Sequence, residues 1–219
     1  MSKLKDAILD MRYLLSRGYK RELAANFVAS RYSLSKEERA ILYRAVYDEN
    51  QAREHKRKIV KPEYVSGKVL SVDGFNVLIT VESALRGKLL IECDDGFIRD
   101  VSAVFGKYRL SELTWKALDL ILSFLSRYKP KSVLFFLDSP ISRSGELASQ
   151  IRRRLPHFNL TGDAKAVKQS DVAVLSSGEV VASSDCIIIQ RANYVLDLAG
   201  QIVRNYTPHL ILRISEDLH

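Results

Sequence analysis

The stretch KVLSVDGFNVL, residues 68–78, decides the fold. Lys68–Val72 is a short apolar strand that ends in Asp73, and Asn76–Leu85 just beyond it reads as a helix. The same grammar recurs downstream. Leu110–Tyr128 has the apolar spacing of a long amphipathic helix carrying Trp115, and Ser132–Leu137 is a buried-type strand ending in Asp138. Ser144–Leu155 reads as a helix, Val180–Ser183 as a strand running into Ser184-Asp185, Tyr194–Tyr206 as a helix and Leu210–Ile214 as a last strand. Residues 163–177 are ambiguous, a short helix and a turn. Lys88–Cys93 and Phe97–Val101 flank Asp94-Asp95-Gly96, which is a hairpin signal. Strand and helix in alternation argue an α/β domain, a three-layer α/β/α arrangement with a mostly parallel sheet.

Three of these strands therefore run into an acid: Asp73, Asp138 and Asp185, with Asp171 in KQSDVAVL just before the last. In an open parallel sheet, ligands bind beyond the carboxyl ends of the strands. If the strands are neighbours, the carboxylates converge on one cleft. Convergence is costly: two unit charges about 4 Å apart repel by roughly 4 kcal/mol at an effective dielectric of 20. Such a group either raises its pKa values or holds a divalent cation, and oxygen donors suit Mg²⁺ or Mn²⁺. Taken singly, each Asp reads as well as a turn former or helix N-cap; the ordered set is more specific than its members.

Working outward to the amino terminus, the pattern changes. Leu4, Ala7, Ile8, Met11, Leu14 and Leu15 form one helical stripe that Gly18 ends. Lys20–Tyr32 places Leu23, Ala24, Phe27 and Val28 on one face. Ser35-Lys-Glu-Glu38 is a capping box opening a third helix, with Ile41, Leu42, Ala45 and Val46 inward, which decays into the charged stretch Glu49–Lys58. Ile59–Ser66, with Pro62, reads as a linker, so the expected domains are residues 1–61, small and all-α with a helix-turn-helix-like outline, and residues 62–219, α/β. Charge divides along the same line. The chain has 219 residues and a net charge of +8; residues 1–61 hold 15 Lys+Arg against 8 Asp+Glu, and the remainder is near neutral. A polyanionic partner for the helical part is one implication, a solvated basic face another.

Composition excludes several classes. Hydrophobic residues at 47% and charged residues at 27% are the globular norm, and 10 Gly and 5 Pro rule out a collagen-like chain. Two Cys make neither a disulfide framework nor a four-Cys zinc site. No apolar run is long enough for a membrane span, and the charged amino terminus is unlike a signal peptide, so no membrane and a cytoplasmic location are expected. His55, His157, His209 and His219 are scattered without metal-type spacing, Cys93 and Cys186 stand alone, and no phosphate-loop or dinucleotide glycine fingerprint occurs.

At this point the residues resemble a family. VDGFNVL at 72–78 is similar to the opening motif of the NYN and PIN-like ribonuclease superfamily, where a strand ends in a metal-binding Asp and an Asn follows three residues on. FFLDSP at 135–140 resembles the second acidic strand of the flap-nuclease and YacP-like branches. KQSDVAVL at 168–175 resembles the segment bearing the third acid of NYN domains, and VVASSD at 180–185 the strand with a terminal Ser/Thr-Asp pair. The resemblance covers roughly residues 67–190. It departs in the hairpin at 88–101, in Ser139-Pro140 where Gly is frequent after the second acid, and in the short spacing from Asp171 to Asp185. The whole chain also looks like a prokaryotic, mainly archaeal, family joining a small helical amino-terminal domain to such a PIN-like domain. The resemblance implies a Mg²⁺- or Mn²⁺-dependent nuclease, with RNA a better substrate than DNA. Catalytic roles would fall to Asp73, Asp138, Asp171 and Asp185, with the metal on Asp73, Asp138 and Asp185; Asn76 would orient the first acid or its water, and Ser184 would support the last.

Around the acids, Ser139, Ser142, Arg143, Ser144 and Gly145 open a helix, and Lys165 and Lys168 flank the third acid; all are candidate phosphate contacts. Arg152–Arg154 at a helix end suit the helix dipole as well as nucleic acid. Rival readings are a non-catalytic nucleic-acid-binding protein with a nuclease-like fold, and a small-molecule phosphohydrolase using Asp73 or Asp138 as nucleophile. Phe75 at the second position after Asp73 counts against a haloacid-dehalogenase-like version of the latter. A protein-interaction role for the helical part would be favoured by a flat, apolar exposed face on residues 20–47. A homodimer is left open.

Overall fold

The computed structural model describes residues 2–101 and 108–214. Four helices come first: α1 (Ser2–Ser16), α2 (Arg21–Arg31), α3 (Lys36–Ala45) and α4 (Glu49–Lys58). Then follow β1 (Val69–Asp73), α5 (Gly74–Leu85), β2 (Leu90–Glu92), β3 (Ile98–Arg99), α6 (Glu112–Ser126) and β4 (Ser132–Asp138). The chain continues through α7 (Ser144–Arg154), β5 (Gly162–Val167), α8 (Ser170–Ser177), β6 (Val180–Ala182) and α9 (Cys186–Arg191). It closes with β7 (Val195–Leu196), α10 (Leu198–Tyr206) and β8 (Ile211–Arg213). The chain divides into two compact units.

The smaller unit holds the all-helical amino-terminal region. Ala7, Ile8 and Met11 of α1 and Ala24, Ala25, Val28 and Ala29 of α2 are buried, and the three alanines of α2 let the helices approach. The Ser35–Glu38 capping box is formed, Ser35 Oγ accepting from the Glu38 amide at 3.1 Å and Glu38 returning to the Ser35 amide at 2.7 Å. Instead of α3 decaying into the charged stretch, the chain breaks at Val46 and starts a fourth helix. The Asp48 carboxylate accepts the amides of Asn50 and Gln51, at 3.1 and 3.0 Å, and so nucleates α4.

This unit is not the contiguous segment 1–61. It also takes in residues 89–101 and 209–214 of the described chain. The hairpin signal is correct, since β2 and β3 pair antiparallel, but β8 joins β2 in parallel to make a separate three-stranded sheet. Charge explains why the hairpin sides with the helices. Arg12 grips Asp94 at 2.6 Å, and Asp94 accepts the Tyr47 amide at 3.0 Å. Asp95, fully buried, lies between His55 Nδ1 at 2.9 Å and a two-pronged contact from Arg99 at 2.7 Å. Burial alone would raise the Asp95 carboxyl, but Arg99 and His55 carry it down to about 2. The turn Asp94-Asp95-Gly96 is thus tied by ionic bonds to α1 and α4, a long-range dependence that local periodicity cannot reveal.

The larger unit begins at Lys58. The stretch from Lys58 to Ser66 is more than a linker: Lys58 donates to the carbonyls of Ile189 and Gln190 at the end of α9, and Ile59 bridges Val195 in parallel. The main sheet has five strands in the order β5-β4-β1-β6-β7, every pairing parallel, with flanking helices. The core gathers Leu70 and Val72 of β1, Val133, Phe135 and Leu137 of β4, Phe75 and Leu78 of α5, and Leu118, Ile121 and Leu125 of α6. The ambiguous span 163–177 is the edge strand β5 followed by α8, and the expected helix 194–206 begins with the two-residue strand β7. Asp197 then starts α10 by accepting the Gly200 amide at 3.1 Å. No helix among the described residues is long and apolar enough to cross a membrane.

Candidate active site

Strand order places the acids. The chain runs from β1 outward to β4 and β5, then crosses back over β1 to β6 and β7, so the sheet reverses direction between β1 and β6. At such a switch point the connections leave on opposite faces and open a crevice at the carboxyl edge. Asp73 is the last residue of β1 and Asp138 the last of β4, while β6 ends at Ala182 and Asp185 follows three residues on. Asp73 stands in register with Phe136, and Val72 with Ala182, so all three acids emerge at one edge of the sheet. Asp171, in the first turn of α8, joins them.

Burial grades the four. Asp73 is buried, Asp138 and Asp185 half-buried, and Asp171 exposed. Burial pushes the Asp73 carboxyl up to about 7; the charges of Asp185 and Asp138 add to the rise, while Ser183 and the Asn76 amide hold it back. Asp171 is also raised, by desolvation and then by Asp185 and Asp138, with Arg191 acting against them. The four carboxylates therefore share one electrostatic field. Among the described residues no three His, Cys, Asp or Glu side chains are drawn together tightly enough to hold a metal ion, so the acids ring the edge without closing on a point.

Three of the four acids have a fixed partner. Ser183 Oγ donates to Asp73 Oδ2 at 2.8 Å and accepts the Asp185 amide at 3.0 Å, tying the first acid to the last. Ser170 Oγ donates to Asp138 Oδ1 at 2.5 Å. Asp185 Oδ1 caps α9, accepting the amides of Ile187 and Ile188 at 2.8 and 3.2 Å. The N-cap reading of Asp185 is thus correct, carried by one carboxylate oxygen. Gly74 follows from the same crowding: a Cβ there would meet Leu137 Cδ2 at 2.5 Å and the Phe136 carbonyl at 3.0 Å, so only glycine lets α5 start directly beneath Asp73.

The supporting residues differ from the sequence reading. The Asn76 side chain does not orient Asp73; its Oδ1 accepts the Ser184 amide at 2.9 Å and the Ser184 hydroxyl at 3.0 Å, locking the β6–α9 turn, and it is the Asn76 amide that faces Asp73. Ser184 is thus held by Asn76. Ser144 is buried with its hydroxyl toward the Ser139 carbonyl at 3.4 Å, so it is withdrawn from phosphate. Ser139, Ser142 and Lys168 are exposed, whereas Arg143 pairs with Glu146 at 2.7 Å and Lys165 with Asp163 at 3.5 Å. Arg154 pairs with Asp119 at 2.7 Å, and Arg152 donates to the Ala164 carbonyl, so two of the three basic residues there have structural work. Ser170, Ser183 and Arg191 were missed; a serine two residues before an acid, as in Ser183-Ser184-Asp185, was the available signal. Neither cysteine is in a disulfide; Cys93 is buried and Cys186 half-buried, and burial pushes the Cys93 thiol up to about 12. His219 lies outside the described residues.

A family model described as a domain of unknown function (DUF5616) matches residues 62–201, more than half of the chain. The chain belongs to the DUF5616 family. All four acids, Ser170, Ser183 and Asn76 fall inside the DUF5616 segment. A second model, a protein of unknown function (DUF434), matches residues 3–58, the four-helix region. The uncharacterized protein MJ0935 of the archaeon Methanocaldococcus jannaschii is 41% identical over 196 residues, covering 89% of this chain and 93% of its own. No solved structure matches.

Proposed function

We propose that the carboxyl edge of the five-stranded sheet is the active site of a metal-dependent nuclease that hydrolyses phosphodiester bonds, of RNA in preference to DNA. One observation carries this reading: acids from three strand ends and one helix start lie together at the switch point, where Asp73 is buried and raised to about 7 by burial and by its acidic neighbours. A structural role rewards pairing acids with bases, and this edge does the opposite. The resemblance of VDGFN and FFLDSP to PIN and NYN nucleases agrees, and it alone supplies the preference for RNA.

The donor set is all oxygen, the chemistry that suits Mg²⁺ or Mn²⁺; at the open spacing of these acids, Asp73, Asp138 and Asp185 would hold the ion through its waters or after drawing closer. Bound there, the ion would supply Lewis acidity and a lowered water pKa to phosphodiester hydrolysis. The chain's own residues do the rest. Ser183 and the Asn76 amide fix Asp73, Ser170 fixes Asp138, and the α9 cap fixes Asp185, so three carboxylates are oriented before substrate arrives. Asp171, exposed and with a raised affinity for protons, would exchange a proton with solvent or a leaving oxygen.

Cleavage of labelled RNA with Mn²⁺ tests the proposal. Asp73→Asn and Asp185→Asn should each abolish it with the fold intact; unchanged metal-dependent cleavage in both removes the assignment. The open spacing of the acids favours one competitor, a nucleic-acid-binding protein that keeps a nuclease-like fold, and wild-type protein that binds RNA but never cuts it would select that reading.

A further inference from the structure

The smaller unit carries a face that its own core does not use. On α2 the inward residues are Ala24, Ala25, Val28 and Ala29. On the outward side, Lys20, Leu23, Phe27 and Arg31 follow at steps of three and four, one stripe about 16 Å long at 1.5 Å rise per residue. Leu23 and Phe27 are each 62% exposed, and Tyr19 in the preceding turn is 59% exposed. Side chains of this size gain about 1.5–3 kcal/mol on burial, so a soluble helix does not normally present them one turn apart. Arg17 and Lys20 are exposed and carry no ion pair among the described residues, and Arg31 reaches Asp10 only at 3.4 Å with both side chains in solvent.

The face is not the flat apolar surface that a protein partner needs. Glu22, Asn26 and Ser30, polar and exposed, flank Leu23 and Phe27 along α2, and Arg31 ends the stripe. Exposed rings interleaved with unpaired cations are what a single-stranded nucleic acid requires: rings for bases, cations for phosphates. α3 is poorly suited to reading a duplex as the second helix of a helix-turn-helix. Its first turn offers Glu37 and Glu38, while Arg39 is bound to Asn26 at 2.6 Å and Arg44 to the Asp100 carbonyl at 3.1 Å.

We propose that Tyr19 and Phe27 form a stacking face, with Arg17 and Lys20 as phosphate contacts, by which the amino-terminal unit holds single-stranded RNA without regard to sequence. The inference rests on the nuclease reading for its choice of RNA, but binding and cutting are separable. The full chain is titrated into fluorescent oligouridine in EDTA, where metal-dependent cutting is silent. Wild type binds the strand more tightly than a duplex of equal length. Tyr19→Ala and Phe27→Ala each weaken binding about tenfold, as expected for loss of one base–aromatic stack. Arg17→Gln and Lys20→Gln each lower the slope of log affinity against log salt by about 0.7. All four variants keep the wild-type melting temperature. Wild-type affinity in Phe27→Ala and Tyr19→Ala overturns the proposal, as does a chain that ignores oligouridine. So does a dimer in sedimentation that Leu23→Asp dissociates while RNA affinity stays the same. RNA binding that depends on Phe27 in a chain that never cuts would sink the nuclease reading and leave this one standing; cutting without any role for Phe27 would do the reverse.

Discussion

Replacing Asp73 with Asn should make the protein more stable near neutral pH, against the usual cost of altering a buried polar residue. The side chain keeps its shape and an oxygen to accept from Ser183, but it loses the charge that Asp138 and Asp185 oppose. In the folded chain the Asp73 carboxyl sits at about 7, against 3.8 when unperturbed. A gap of about three units corresponds to roughly 4 kcal/mol. The folded state holds this proton more tightly than the unfolded state, so the stability is fully present below pH ~4 and is lost as pH rises through ~7. Guanidinium titrations in EDTA at pH about 4 and about 8 give the answer. Wild type should lose several kcal/mol between the two, and Asp73→Asn should lose much less, overtaking wild type at the higher pH. Saturating Mn²⁺ should restore wild type and not the variant, since an ion that binds only the folded chain stabilises it. A wild-type stability that is flat across this range, with no advantage for Asn at pH about 8, would show that Asp73 is neither crowded nor in need of a cation.

The remaining expectations separate architecture from chemistry. Asp95→Asn breaks the buried ion pair with Arg99 and should cost about 3–5 kcal/mol, read as a lower denaturant midpoint. Because Asp95 is held down to about 2, its contribution in wild type is present above pH ~4 and should fade as pH falls through ~2. Asp185→Ala should abolish cleavage and also cost about 1 kcal/mol through loss of the α9 cap, whereas Asp185→Asn should abolish cleavage with little loss, since Asn caps as well. Gly74→Ala should lower the melting temperature through its clash with Leu137 and the Phe136 carbonyl; an unchanged melting temperature would mean that the β1–α5 turn yields more readily than its packing implies.

The larger unit was legible where sequence and structure share a short range. VLSVD and SVLFFLD read as strands ending in acids because each is a continuous apolar run closed by one charge, and both do. β7 was hidden because two residues are too few to show alternation, and β5 because GDAKAV is an exposed edge strand without an apolar face. The membership of the hairpin could not be read at all. It depends on Arg12, His55 and Tyr47 meeting Asp94 and Asp95 across 40 residues or more of chain, and on β8 reaching back to β2. The site showed the same limit. The acids announced themselves by position, but Ser170 and Ser183 act through hydrogen bonds that only the folded sheet creates, and Asn76 turned out to serve Ser184.

Crystals soaked in Mn²⁺ test the central claim most directly. Anomalous density is expected at the carboxyl edge of the five-stranded sheet, with carboxylate oxygens of Asp73, Asp138 and Asp185 about 2–2.5 Å from the ion or about 2.7 Å from its waters, and none in Asp73→Asn. An empty edge in crystals that bind Mn²⁺ elsewhere would contradict it.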